Sequence, residues 1–299
     1  MTDAFHPELR RVARVLPRSV LNARTLKFHR VGGKILERVA AKRAPVFATG
    51  SASVRLHQPA SMEGRMPALL WIHGGGYIAG SAATEDSVCR RMAEELGIVV
   101  AAVDYRLAPE HHFPTALHDC YDGLTWLADH ESVDPTRLAV GGASAGGGLA
   151  AAVALLARER AEIALRLQVL AYPMLDDCTA VRSDIDERNV KGWDNKSNAF
   201  GWQSYLGQPP GWGGVSEQAA PGRCADFSDL APCWIGVGTL DLFHDECVAY
   251  AKGLHAAGVP CQLEIVKGAF HGFDIVRRKA AVSMAFRASQ MKALADALR

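Results

Sequence analysis

The sequence has no long uninterrupted apolar run. None approaches the roughly eighteen residues that a membrane-spanning helix needs, and the N-terminus lacks the apolar core of a secretory signal. It also has almost no net charge, +1 from 33 basic and 32 acidic residues, which gives no global attraction to nucleic acid or membranes. We therefore expect a cytoplasmic protein with no nucleic-acid partner and no stable membrane insertion.

Cysteine is present but follows no recognised pattern. Seven cysteines are an odd number, and none shares C-x-x-C spacing, which argues against both a disulfide framework and a zinc site. We expect reduced, mostly structural thiols and no bound metal. The seven are Cys89, Cys120, Cys178, Cys224, Cys233, Cys247 and Cys261.

Charge is unevenly distributed along the chain. Residues 1–43 hold 11 basic and 3 acidic residues, a balance of +8, and the remainder holds 22 and 29, a balance of −7. Apolar residues spaced by three to five predict two amphipathic helices between Pro7 and about Ala41, broken near Pro17 and at Gly32-Gly33. This arm is either a solvated basic face packed on the main domain or a lid that approaches an anionic lipid surface.

Strands and helices alternate after an initial β-hairpin predicted over Val46 to Pro59. This alternation predicts an α/β fold with a mostly parallel central sheet, helices on both faces, and ligands at the carboxyl ends of the strands. The predicted strands are Ala68–Ile72, Ile98–Val103, Leu138–Gly141, Leu167–Tyr172, Trp234–Thr239 and Cys261–Val266; the predicted helices are Thr84–Leu96, Pro114–His130, the residues after Ser144, Asp245–Ala257 and a terminal helix from Ala280.

One segment, Leu175 to Phe227, interrupts the alternation. It is too long and too rich in Gly, Pro and Asn for an ordinary connection, so we expect a mainly helical insertion that covers the edge of the sheet bearing the site. Its aromatic residues have two interpretations: they line the substrate pocket, or they form only the core of the cap. The candidate substrate-binding residues are Trp193, Phe200, Trp202 and Tyr205 of this segment, which also holds Trp212, together with Tyr77, which follows the run of glycines at 74–76.

A nucleophile is predicted at Ser144, within Gly142-Ala143-Ser144-Ala145-Gly146. The preceding apolar run predicts a strand, and the Ala- and Leu-rich run after Gly146 predicts a helix. A strand that reverses into a helix this sharply forces a strained conformation on the serine and needs small neighbours, as in the G-x-S-x-G nucleophile elbow.

An oxyanion hole is predicted from His73-Gly74-Gly75-Gly76, which follows a buried strand. Consecutive glycines let backbone N–H groups turn into a cavity without obstruction by side chains. With the N–H of Ala145 after the nucleophile, Gly74 and Gly75 form the predicted cradle for a negatively charged oxygen.

The general base is predicted to be His271. It lies between Gly268 and Gly272 in the loop after a strand that ends at Val266, so it emerges at the same sheet edge as Ser144. Among the other histidines, His118, His244 and His255 fall on predicted helices, and His111 and His112 lie in a loop and remain weaker alternatives for the base. His73 lies beside the glycine loop, which it is expected to hold by hydrogen bonding.

The acid is predicted to be Asp241, directly after the strand Trp234–Thr239. Asp245 and Glu246 lie at the start of the next helix, where interaction with the helix dipole suffices to explain them. Asp274 is too close to His271 in sequence to be the first choice. The order Ser144, Asp241, His271 is that expected of an α/β-hydrolase.

These motifs together resemble the hormone-sensitive-lipase-like esterases (bacterial family IV) of the α/β-hydrolase fold. The resemblance implies a serine carboxylesterase that acts on short- to medium-chain esters through an acyl-enzyme, needs no cofactor and often forms a homodimer. It also implies a helical cap from residues 1–45 and 176–227 on a core of residues 46–175 and 228–299. The matching motifs are His73–Tyr77, Asp104–Glu110, Gly142–Gly147, Asp241–Glu246 and His271–Phe273.

Three positions depart from the family's pattern. Ala143 stands where the family usually has Asp, Gly148 where it has Asn, and Leu242 where it has Pro. The loss of the Asp removes a carboxylate beside the nucleophile, which bears on rate and substrate preference. Two alternatives remain open: an amidase or lactonase with the same triad, and a non-catalytic ligand receptor on the same scaffold, against which His271 argues.

Overall fold

The computed structural model describes residues 4–19, 21, 25–32 and 44–299, and a single eight-stranded sheet organises them. The strand order is β1-β2-β4-β3-β5-β6-β7-β8; β1 and β2 are antiparallel to their neighbours, and all later pairs are parallel. This confirms the predicted α/β class. The strands are β1 (Val46–Thr49), β2 (Ala52–His57), β3 (Met66–Ile72), β4 (Val99–Asp104), β5 (Val133–Ala143), β6 (Leu165–Ala171), β7 (Cys233–Gly238) and β8 (Cys261–Val266).

Helices cover the sheet because its central strands are apolar on both faces. Ala68 to Ile72 in β3 and Val99 to Val103 in β4 are buried without alternation, as in strands packed on both sides. Two pairs of helices pack against each other: Asp86–Leu96 against Ala281–Leu298, and Thr115–Asp129 against Ala145–Arg160. The helices are α1 (Arg10–Ala13), α2 (26–32), α3 (Asp86–Leu96), α4 (Thr115–Asp129), α5 (Ala145–Arg160), α6 (Asn195–Leu206), α7 (His244–Ala256), α8 (Phe273–Val276) and α9 (Ala281–Leu298).

Element boundaries follow the predictions within a few residues, with β5 as the largest difference. It begins at Val133 and not at Leu138, because Met66 of β3 pairs with Val133 across a register shift. A local turn signal at Asp134-Pro135 could not reveal this pairing, which depends on a strand far away in sequence.

The prediction of a mainly helical insertion is wrong. Its only α-helix among the described residues is α6, accompanied by short 3₁₀ turns and irregular chain. Gly207 ends α6 with a φ of 70°, and Pro209, Pro210 and Gly211 follow shortly and oppose further helix, since proline lacks an N–H donor and glycine is conformationally free. The 3₁₀ turns are Asp177–Val181, Glu187–Asn189 and Pro221–Arg223.

The basic arm lies against both the core and the insertion. The N–H of His6 donates to the carbonyl of Gly268 at 2.9 Å, and the carbonyl of Pro17 accepts from the N–H of Gly192 at 3.1 Å. Val15 nevertheless keeps an exposure of 80%. The part of the second predicted helix beyond residue 32 lies outside the described residues. Within the described ranges, no helix has both the length and the apolar character to cross a bilayer.

Glu246 has a structural role beyond the expected interaction with a helix dipole. Its buried carboxylate accepts from the N–H of Leu175 at 2.6 Å and from the hydroxyl of Thr179, so α7 holds the start of the insertion. Burial raises the pKa of Glu246 well above its usual value. The neighbouring Asp245 is instead exposed and pairs with Arg182 at 2.9 Å, and hydrogen bonds from His244 and Arg182 lower its pKa.

We expect Glu246→Gln to change the pH dependence of stability. In the unfolded chain Glu246 ionises near its ordinary pKa, whereas the folded protein holds the proton to higher pH. Its favourable contribution is therefore complete below the unfolded pKa and is lost as pH rises through the raised folded pKa. Relative to the Gln variant, wild type should lose stability from about pH 5 upward, by at most about 1.4 kcal/mol per pH unit.

Urea unfolding midpoints of both proteins between about pH 5 and pH 8 test this expectation. Asp245→Asn is the matched control, because its folded pKa is lowered and any dependence should be small and of opposite sign. A wild-type-to-Gln difference that stays constant with pH would contradict the assignment.

Candidate active site

Ser144 occupies a strained turn between β5 and α5. Its φ of 57° and ψ of −124° lie where residues with a side chain are rarely found. The turn is tight enough to exclude side chains on both sides: a Cβ on Gly142 would overlap the carbonyl of Gly146, and one on Gly146 would overlap the carbonyl of Ile72. The two glycines therefore permit the close crossing that presents Ser144 at the carboxyl edge of the sheet.

Ser144, His271 and Asp241 form one chain of hydrogen bonds. His271 Nε2 lies 2.9 Å from Ser144 Oγ, and His271 Nδ1 lies 2.9 Å from Asp241 Oδ2. The other carboxylate oxygen of Asp241 accepts from the N–H of Phe243 at 3.0 Å, and the Asp241 side chain has no exposed surface. The carboxylate is thus oriented by the chain that follows β7, while the His271 side chain retains 12% exposure.

The glycine loop lies beside Ser144 with free donors. Gly75 and Gly76 have φ of 121° and 61°, which favour glycine, and a Cβ on Gly74 would lie 3.3 Å from Ser144 Cβ. No backbone carbonyl of the described residues accepts from the N–H of Gly74 or Gly75. Ala145 is the first residue of α5, where N–H groups have no partner within the helix. All three positions can therefore donate to an oxygen near Ser144.

His73 is hydrogen-bonded to this glycine loop, as expected. Its Nδ1–H donates to the carbonyl of Gly74 at 2.8 Å, and its ring stacks on Tyr105 at a centroid distance of 4.2 Å. Burial lowers the pKa of His73, which keeps the ring neutral. The Tyr105 hydroxyl donates to the His73 carbonyl at 3.1 Å and secures the same turn.

Three of the candidate substrate-binding aromatics form a buried cluster. Tyr77 stacks on Tyr205 at 4.1 Å and lies 5.3 Å from Trp202, and none of the three exposes more than 1% of its surface. The Tyr77 hydroxyl is satisfied by the Met174 carbonyl at 3.0 Å. This packing matches the alternative interpretation, in which these side chains form the core beneath the insertion.

The remaining aromatics differ in position. Trp193 covers the glycine loop: a Cβ on Gly76 would overlap its ring, and its own neighbour Gly192 lies against the His271 carbonyl. Phe200 is half-buried, and Trp212 is 60% exposed. Trp193 is therefore a candidate whose ring lies against the glycine loop beside Ser144.

Sequence reasoning missed Tyr172, whose ring packs edge to face on His271 at 4.8 Å. The residue directly follows β6, and its place at the carboxyl end of a parallel strand is a signal that the sequence did contain. Of the two aspartates near His271, Asp274 accepts a hydrogen bond from the Tyr172 hydroxyl at 2.9 Å, whereas Asp241 is the one hydrogen-bonded to His271.

One group of side chains has the spacing of metal ligands. Among the described residues, Asp176, Asp177 and Cys178 place ligand atoms within 4.8 Å of one another. Arg223 binds both carboxylate oxygens of Asp177, at 2.6 and 3.0 Å, so that its charge is already compensated. We assign no metal to this group.

Comparison with known proteins gives a consistent set of similarities. A family model described as the alpha/beta hydrolase fold matches residues 69–275. The chain is 37% identical to ethyl acetate hydrolase of Pseudomonas putida, over 74% of this chain and 70% of that protein, and 34% identical to carboxylesterase NlhH of Mycobacterium tuberculosis, over 74% and 70%. Among solved structures, a bacterial heroin esterase superposes with a TM-score of 0.90 at 34% identity, covering 100% of this chain and 99% of that one.

Proposed function

Since the chain belongs to the α/β-hydrolase fold family, as a hormone-sensitive-lipase-like carboxylesterase, we propose that it cleaves short- to medium-chain esters through an acyl-enzyme on Ser144. The observation that carries the proposal is the continuous hydrogen-bonded chain Ser144–His271–Asp241, with both links at 2.9 Å. That chain joins a nucleophile, a base and an orienting acid in the arrangement that acyl transfer requires.

In the proposed acylation step, His271 Nε2 accepts the Ser144 proton while Oγ attacks the ester carbonyl carbon. The carbonyl electrons move to oxygen, and the N–H groups of Gly74, Gly75 and Ala145 stabilise the resulting oxyanion. Collapse of the tetrahedral intermediate breaks the bond to the alkoxy oxygen, and His271 donates its proton to the departing alcohol. Asp241 keeps the ring oriented and stabilises the imidazolium throughout.

Deacylation repeats these steps with water as the nucleophile. His271 accepts a proton from water as the water oxygen attacks the acyl carbon. His271 then returns the proton to Ser144 Oγ as the carboxylic acid departs. Ala143 contributes no carboxylate beside this site, where the family usually has Asp. This difference bears on the rate of the reaction and on its substrate selectivity.

We propose that residues 1–45 and 176–227 form a cap over the core segments 46–175 and 228–299. Contacts between the two cap segments support this division: Pro17 accepts from Gly192 at 3.1 Å, and the hydroxyls of Ser19 and Ser197 lie 2.7 Å apart. A cap with these contacts would limit the length of substrate that reaches Ser144.

A panel of p-nitrophenyl esters of increasing acyl length, run beside Ser144→Ala, tests the proposed activity. Each buried CH₂ contributes about 0.8 kcal/mol, so kcat/KM should rise roughly three- to fourfold per methylene and then fall once the cap closes the pocket. We expect an optimum between about four and eight acyl carbons, from the family resemblance and this increment. A p-nitroanilide and a lactone run in parallel would reveal amidase or lactonase activity as the main function.

Trp193→Ala should move this optimum to longer acyl chains, because its ring covers the glycine loop beside Ser144. Phe200→Ala tests the second candidate, and Trp212→Ala is the matched control, since that indole is 60% exposed. Ala at Trp202 or Tyr205 should mainly destabilise the protein, by about 3–5 kcal/mol, since both are fully buried. An optimum that none of the Ala variants moves would remove support for the pocket-wall interpretation.

A further inference from the structure

Tyr172 has a strained backbone conformation at the carboxyl end of β6. It follows β6 directly with a φ of 37°, in a region that favours glycine, and its N–H donates to the Gly236 carbonyl at 2.6 Å. A tyrosine in such a conformation persists only where the surrounding structure imposes it, and such strain concentrates at functional sites.

The Tyr172 side chain is attached to the helix that follows His271. Its hydroxyl donates to Asp274 Oδ1 at 2.9 Å, and Asp274 is buried in α8, three residues beyond His271. Arg287 donates to the Asp274 carbonyl at 2.8 Å and ties α8 to α9. Burial raises the pKa of Tyr172 well above its usual value, so the phenol remains a donor.

The Tyr172 ring packs against the imidazole ring of His271. The two rings meet edge to face, at an interplanar angle of 66° with centroids 4.8 Å apart, and Phe243 also meets His271 edge to face, at 87° and 5.2 Å. Phe286 stacks parallel to Tyr172, at 7° and 6.2 Å, and restricts its tilt. The imidazole plane is thereby defined by two aromatic rings as well as by Asp241.

We propose that Tyr172, held by Asp274, is a positioning residue that fixes the plane of His271 for proton transfer. This inference rests on the proposed function, because it assigns His271 the role of base. Hydrogen bonds to Ser144 and Asp241 restrain two atoms of the imidazole, and rotation about the line between them is the freedom that Tyr172 removes. Proton transfer depends steeply on such alignment.

Tyr172→Phe tests the inference, since it keeps the ring and removes only the bond to Asp274. We expect kcat to fall about tenfold with KM within about twofold of wild type, and the rate of fluorophosphonate labelling of Ser144 to fall by a similar factor. Asp274→Ala should match this loss, Asp274→Asn should recover most of it because an amide oxygen still accepts, and Tyr172→Phe/Asp274→Ala should lose no more than either change alone.

Tyr121→Phe is the matched control. Tyr121 is another buried tyrosine whose hydroxyl donates to a carboxylate, Glu162 at 3.3 Å, and it lies in α4 without contact to the triad. Wild-type kcat and labelling rate in Tyr172→Phe, or an equal loss in Tyr121→Phe, would overturn the inference. Ser144→Ala distinguishes failure of the proposed function from failure of the positioning role. Activity retained in Ser144→Ala would contradict the proposed function. Activity lost in Ser144→Ala but unchanged in Tyr172→Phe would contradict the positioning role alone.

Discussion

Ser144→Ala should abolish ester hydrolysis, with kcat lower by roughly 10⁴- to 10⁶-fold, and a fluorophosphonate should label wild type once, at Ser144. Alanine removes the only atom that can form the acyl-enzyme. Labelling is selective because an ordinary serine hydroxyl is a weak nucleophile, whereas Ser144 Oγ lies 2.9 Å from a base and beside free N–H donors.

Intact mass and peptide mapping, combined with residual activity, measure this result. Ser289→Ala is a matched control, because the Ser289 hydroxyl donates to the Glu264 carboxylate at 3.1 Å but has no histidine beside it. That variant should still be labelled and active. Label on a residue other than Ser144, or activity that survives complete labelling, would show that the elbow is not the nucleophile site.

Asp241→Asn and His271→Ala should each lower kcat by several orders of magnitude, roughly 10³- to 10⁶-fold. Without His271, Ser144 keeps its proton; with Asn at 241, the ring loses the carboxylate that now accepts from Nδ1 at 2.9 Å and stabilises the imidazolium. The double variant should lose little more than His271→Ala, because the members of a triad act as a unit.

Steady-state kinetics of the two single variants and the double variant test this dependence. Asp245→Asn provides the comparison, since this exposed carboxylate pairs with Arg182 on the surface and should cost less than about tenfold. Losses that multiply between positions 241 and 271 would mean that the two side chains act independently, and would contradict the triad assignment.

The predictions from sequence were accurate where a feature is determined by adjacent residues, and less accurate where it is determined by contacts with distant parts of the chain. β8 begins and ends at Cys261 and Val266, as predicted, because its boundaries follow from the residues themselves. The insertion was predicted to be mainly helical and is not, because proline and glycine after α6 oppose further helix. Its buried aromatic residues contact partners remote in sequence, such as Tyr77 and Gly76. Burial against partners remote in sequence leaves no periodic signal along the chain.

For the candidate site, residue types and their order were already evident in the chain. Three glycines after a strand, a serine between small residues, and an acid and a histidine after later strands all follow from backbone freedom and from the shared edge of parallel strands. The same reasoning did not identify Tyr172, although it too follows a strand, because its importance depends on the His271 ring and on Asp274.

The sequence by itself therefore determined the α/β class and the order of the candidate site residues along the chain, because each depends on local propensity and on glycine or proline at particular positions. Only the tertiary structure decided that Glu246 anchors the insertion, that Tyr77, Trp202 and Tyr205 pack in a core, and that Tyr172 contacts His271. These features depend on distances between segments far apart in the chain, which packing of the whole domain sets and no single stretch encodes.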